Sequence, residues 1–200
     1  MTTLHRRHAI ALAVLPLLSL PAFAQTSGSS PVPPAGAMRP SRADSGFMEQ
    51  AAQNGHAEIE ASRLAVQKAA DPQVQRFAQT MVNEHTRMGD ELRTLARAKG
   101  VELPTEPSML QRGRLKLLST ADGEAFTRRY VEAFGVDAHQ ETVKLFEDAA
   151  AGADDPDIKA FASRGLPGLQ RHLTMARELP HAKGSPPAAG ADRPAPGGTR

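Results

Sequence analysis

Glu58, His85, His139 and His172 are one carboxylate and three imidazoles carried on four separate stretches of helical spacing, each on or beside an apolar stripe. Imidazole nitrogen and carboxylate oxygen are ligands for borderline transition ions, so the four together predict a site for zinc, iron, manganese or copper. A carboxylate buried alone is costly, and a cation beside it offsets that cost. Glu84, Glu132 and Glu141 lie near these positions and are candidates for extra ligands or for outer partners that fix a ring tautomer. Met81 and Met88 flank His85 by about one turn and Met175 follows His172, a pattern that raises copper. The same residues also permit a metal-free polar network in which Glu58 hydrogen-bonds His85. No Gly-rich phosphate loop, Ser elbow or Cys is present, so nucleotide chemistry and Ser or Cys hydrolysis have no support.

Such a site needs four helices, and the punctuation of the chain supplies them. A first helix is expected after Asp44 or Ser45, running to about Ala70; Asp71-Pro72 caps and opens the second, because Asp suits an N-cap and Pro the first helical position. The second ends at Lys99 before Gly100, a left-handed terminator. Residues 101–122 read as a crossover with a shorter helical piece near Ser108 to Leu118. The third helix spans about Gly123 to Ala151, and Asp155-Pro156 starts a fourth that reaches about Leu179, with a kink expected at Pro167. No run of alternating β-branched residues argues a strand. The fold class expected is all-α, a ferritin-like antiparallel four-helix bundle with a long crossover carrying a short extra helix.

Within the second helix Val74, Ala78, Met81, His85, Met88, Leu92 and Leu95 keep the alternating four-and-three spacing of one packed face. Val136, His139, Val143 and Phe146 keep it in the third helix, and Phe161, Leu169, His172 and Ala176 in the fourth. Glu58 lies on a small-residue stripe with Phe47, Ala51, Asn54, Ala61 and Ala65. Across the first corner Glu58 and His85 stand at matching heights, each about 20 Å from Asp71 at 1.5 Å rise per residue. Across the second, His139 and His172 mismatch by about 4 to 5 Å, which a kink at Pro167 could reduce. Tyr130, the single tyrosine, is expected to pack with Phe126 and Phe134.

The ends read differently. Residues 1–24 have the form of a cleavable signal peptide: a basic start through Arg6 and Arg7, an apolar stretch from Ala9 to Leu20, and an Ala22-Phe23-Ala24 cleavage site. Residues 25–43 and 181–200, rich in Pro, Gly, Ala and Ser, read as a disordered linker and tail around a domain at 44–180. An exported protein of the periplasm or cell envelope is expected, with no transmembrane segment in the mature chain. Removing Arg6 and Arg7 from 24 basic residues leaves 22 against 22 acidic, so nucleic acid is not an expected partner.

The strings GHAEIEASRLAVQKAADPQVQRFAQTMVNEHTRMGDEL, LPTEP, DGEAFTRRYVEAFGVDAHQETVKLF and DPDIKAFASRGLPGLQRHLTMAREL resemble a bacterial family of exported ferritin-like proteins of unknown function, often labelled predicted outer-membrane proteins. The resemblance covers residues 44–180 and implies a four-helix ferritin-like fold in the cell envelope. It places the family's acidic residue of the first helix at Glu58 and its histidines at His85, His139 and His172; where relatives commonly carry Asp, this chain has Glu84. The paired Glu-x-x-His motifs of di-iron ferritins are missing, since Val82 stands three residues before His85 and Val136 three before His139. Ferroxidase activity is therefore not implied. The expectation is a non-enzymatic metal-handling or envelope-stress role. Were a reaction run, it would be metal-dependent oxidoreduction with Glu84 or Glu132 carrying the proton. A metal-free structural or interaction module with envelope-protein partners is the alternative.

Overall fold

The computed structural model describes residues 39–182, and every regular element among them is helical. The elements are α1 (Arg42–Lys68), α2 (Pro72–Lys99), α3 (Met109–Ser119), α4 (Gly123–Tyr130), a π-helical segment (Val131–Asp137), α5 (Ala138–Gly152) and α6 (Pro156–Glu178). The segments from α4 to α5 form one continuous helix, so five helices are present among the described residues. The signal peptide, most of the linker and nearly all of the tail read from the sequence lie outside them.

Local chemistry fixes the corners. Asp71 caps α2 by accepting from the N–H groups of Gln73 and Val74, and Asp155 caps α6 by accepting from Asp157 and Ile158. Gly100, at φ 66°, takes the left-handed position that ends α2. Ser108 and Gln111 form a reciprocal capping box at the start of α3. α1 begins earlier than the sequence suggested, because Ser41 caps it, and this frees Asp44 for another task. Its buried carboxylate accepts from the backbone N–H groups of Asp154 and Asp155, closing the α5–α6 corner from across the molecule. Lys99 fastens the same end, lying 2.7 Å from Asp155 and 2.6 Å from Asp157.

Helices pack chiefly in two pairs, α1 on α2 and α5 on α6; α1 also meets α4 and α5, and α2 meets α6. The faces turned inward are the stripes read from the spacing: Phe47, Ala51, Ala61 and Ala65 on α1, Val74, Ala78, Met81 and Leu92 on α2, and Ile158, Phe161, Leu169 and Ala176 on α6. Phe47, Phe146 and Phe161 form a three-ring cluster with centroids 5.1, 6.3 and 5.8 Å apart. Each such pair contributes about 0.5–1.5 kcal/mol beyond its buried area. Gly165 lets this cluster close against α6, since a Cβ there would stand 2.9 Å from Phe146 Cε1. Tyr130 stacks on Phe126 and also meets Phe77 edge-on, while its hydroxyl pairs with Ser62 at 2.9 Å.

α6 continues through Pro167 to Glu178, close to the end read from the sequence. One feature departs from that reading. The third helix contains the π segment, where Ala138 N–H donates to Ala133 O five residues back. Gly135 sits in this wide turn with Ala176 of α6 close by, 3.4 Å from where a Cβ would stand. No helix among the described residues is long and apolar enough to cross a membrane.

Candidate metal centre

His85 on α2, His139 on α5 and His172 on α6 meet in the interior, each no more than 3 % exposed. Their ring centroids form a near-equilateral triangle with sides of 5.3, 5.4 and 5.5 Å. The three-residue mismatch between His139 and His172 is closed by side-chain direction. Helical side chains lean toward their own N-terminus, so His139 on α5 leans away from the α5–α6 corner and His172 on α6 leans toward it.

Each ring has one nitrogen engaged. His85 Nδ1 lies 2.9 Å from Glu58 Oε2. His139 Nδ1 donates to the carbonyl of Phe134 in the π segment at 2.9 Å. His172 Nε2 donates to Glu84 Oε2 at 2.8 Å. Because a carbonyl and a carboxylate can only accept, His139 Nδ1 and His172 Nε2 carry the protons of two neutral rings, whose lone pairs turn inward at His139 Nε2 and His172 Nδ1, and His85 turns its Nε2 toward the same point. His85 Nε2 and His139 Nε2 are 3.3 Å apart, and His172 Nδ1 is buried without a hydrogen-bond partner. One ligand atom from each ring lies within 4.8 Å of the others. A tetrahedral zinc with Zn–N near 2.05 Å would hold two nitrogens roughly 3.3 Å apart. The donor set therefore fits a cation once the widest of these separations closes by about 1.5 Å.

Glu58 stands behind His85, on the nitrogen facing away from the other two rings, and it is not one of the three converging donors. The carboxylate oxygen beside His85 is at ion-pair distance but off the line of a ring N–H hydrogen bond. The other accepts from Thr142 at 3.2 Å. Thr142 in turn accepts from Asn54, and Asn54 accepts from Gln111, so a polar relay runs from His85 to the capping box of α3. Burial alone would raise the Glu58 pKa. The charges of His85 and His139, with the close His85 contact and the hydrogen bond from Thr142, outweigh it and hold the group down at about 2. His85 moves the opposite way: burial opposes its proton, yet the Glu58 charge and contact raise its pKa. Burial lowers His139, and burial with the His85 charge lowers His172 to about 4.

The remaining residues singled out from sequence separate clearly. Glu84 reaches His172, with its side chain 35 % exposed. Glu141 turns outward, 61 % exposed and 3.8 Å from Arg114, because its place on α5 faces α3 and solvent. Glu132 is half-buried in the π segment and is not one of the three grouped ligands. Met175 is on the surface, and Met88 packs near Gly165 and Phe146. Thr142, Asn54 and Gln111 went unnoticed as site residues. Thr142, one turn after His139, carried a readable signal as a polar residue beside an apolar stripe.

Comparison with solved structures finds the crystal structure of the putative secreted protein DUF305 from Streptomyces coelicolor at a TM-score of 0.56 and 16% identity, covering 67% of this chain and 89% of that one. At that identity the likeness is one of fold. No curated protein matches the chain. A family model for a domain of unknown function, DUF4142, matches residues 29–179. The chain therefore belongs to the DUF4142 family.

Proposed function

We propose that this is an exported, ferritin-like four-helix bundle of the periplasm or cell envelope that binds one transition-metal ion through His85, His139 and His172, in metal handling or envelope stress tolerance. The supporting observation is the convergence of three ring nitrogens, one of them buried with no other partner. Each opposite nitrogen is held by a carboxylate or a backbone carbonyl, the arrangement that orients metal-ligating histidines and raises their basicity. Glu58, first read as a ligand, becomes the group that orients His85 and balances the ion's charge. Three protein nitrogens leave a fourth coordination position open, which suits exchange or transfer of the ion. Should that position support chemistry, Glu84, half-exposed and bonded to His172, is placed to carry a proton between the centre and solvent.

A metal-free network, in a module that contacts other envelope proteins, is the competing reading, and the 3.3 Å contact favours it: one proton on His85, balanced by Glu58, would bridge His85 to His139. It leaves His172 Nδ1 unpaired. Titration of untagged protein with zinc, followed by elemental analysis after dialysis, separates the two. One ion per chain in the wild type and none in His139→Ala is expected. A ligand present at 100 times its Kd stabilises by about 2.7 kcal/mol, so zinc should also raise the melting temperature of the wild type alone. No retained metal and no thermal shift with any of zinc, copper, manganese or iron would leave the metal-free network.

A further inference from the structure

Beside the centre, on the outer side of Glu58 and His85, lies a cleft of about 660 Å³ between α1 and α2, covered along one side by the crossover at Val101 to Thr105. His56 Nε2 donates to the carbonyl of Pro104 at 3.2 Å and ties that cover to α1. Its wall on α1 runs from Ala51 to Arg63 and its wall on α2 from His85 to Arg97, each thirteen residues or about 18 Å of helix. Ala52, Leu92, Ala96 and Phe161 make its apolar surface.

Two glycines mark it as space kept open. Gly55 and Gly89 are helix-interior residues at similar heights from the Asp71 corner, both lining the cleft, and a Cβ on either would meet nothing within 4 Å. No packing contact requires glycine there, although glycine inside a helix is less stable than alanine. The rim is asymmetric in charge. Glu60 and Arg63 stand on α1 and Glu102 on the crossover, whereas the α2 rim carries only cations, Arg93 and Arg97. These two sit at i,i+4, where like charges disfavour the helix. Arg93 lies 2.8 Å from Asp90, while Arg97 has only a 3.4 Å contact with Thr94 and no carboxylate at ion-pair distance among the described residues.

We infer that this cleft is a binding site for a small amphipathic anion, a single linear apolar chain lying along α1 and α2 with its carboxylate at Arg93 and Arg97. Its volume falls within the range of small-molecule sites, and its apolar walls are interrupted by polar groups along their length, with Arg93 and Arg97 toward the end far from the Asp71 corner. The inference does not depend on metal at the three histidines.

Calorimetric titration of the whole protein with dodecanoate, below its micelle concentration, tests it. Saturable binding of one molecule per chain is expected, at least tenfold tighter than dodecyltrimethylammonium, which has the same chain and the opposite charge. Arg93→Gln with Arg97→Gln should weaken dodecanoate at least tenfold, and Gly89→Leu, which fills the cleft, should do the same. Gly89→Ala checks folding independently, since it should raise the melting temperature by a few degrees. Absence of saturable dodecanoate binding, equal affinity for the two amphiphiles, or unchanged affinity in a folded Gly89→Leu protein would each overturn the proposal.

Discussion

The centre contains the same unit twice, a histidine backed by a glutamate, in two different settings. His85 and Glu58 are both sealed, with side chains 2 % exposed, and Glu58 is further held by Thr142. His172 is equally buried, but its partner Glu84 stands 35 % exposed with Arg171 at 3.9 Å. In the first pair low dielectric strengthens the mutual attraction, so each charge depends on the other. In the second, water stabilises Glu84 whether or not His172 is charged. One pair fixes a ring; the other connects a ring to solvent.

The largest test of this contrast is Glu58→Ala, which removes one partner of the buried pair. It should destabilise the metal-free protein by about 3–5 kcal/mol at neutral pH in urea unfolding, whereas Glu84→Ala should cost less than about 1 kcal/mol. Equal losses would mean the two pairs are equivalent. Next comes metal affinity: Glu58→Gln and Glu84→Gln each remove an outer partner of a ligand, an effect of about 10–100-fold. The Glu58 variant should lie at the upper end, as read by zinc competition with a chelator.

The pH dependence is finer. His172 and His139 have folded pKa values below the ordinary 6.5, so the unfolded chain binds more protons between about 4 and 6.5 and stability should rise with pH across that window. Glu58, at about 2 when folded, contributes fully above 4.5 and loses its contribution as pH falls toward 2. His85 acts oppositely, since its raised value contributes below 6.5 and is lost as pH climbs through the folded value. Metal-free protein should thus be most stable near neutrality, and His172→Gln should flatten the acid side in urea titrations at stepped pH. Thr142→Val, which takes one hydrogen bond from Glu58, should cost about 1–3 kcal/mol without abolishing zinc binding.

Much of the frame was legible because its signals are local. Asp71-Pro72, Asp155-Pro156 and Gly100 each act through a cap or a left-handed turn within a few residues, and the counted heights set Glu58 opposite His85. What escaped is decided by directions and by distant partners. Periodicity gives the face a side chain occupies but not which ring nitrogen it meets, and Glu58 meets His85 at Nδ1. The offset of His139 and His172 can be reduced by a bend at Pro167, and opposite side-chain lean acts in the same direction without one. The π segment has no local signature; its contacts are to Ala176 and Phe77, far along the chain. Asp44 was taken as a helix start because its true acceptor role involves backbone groups 110 and 111 residues away.

The relay behind Glu58 has one more implication. It passes through Thr142 and Asn54 to Gln111, whose own side chain closes the first turn of α3. Any reorientation of the His85 ring would therefore be transmitted, link by link, to a helix whose Met109, Leu110 and Leu117 face outward. Deuterium uptake at the amide of Gln111 would then serve as a remote gauge of occupancy at the histidines, legible from outside the core.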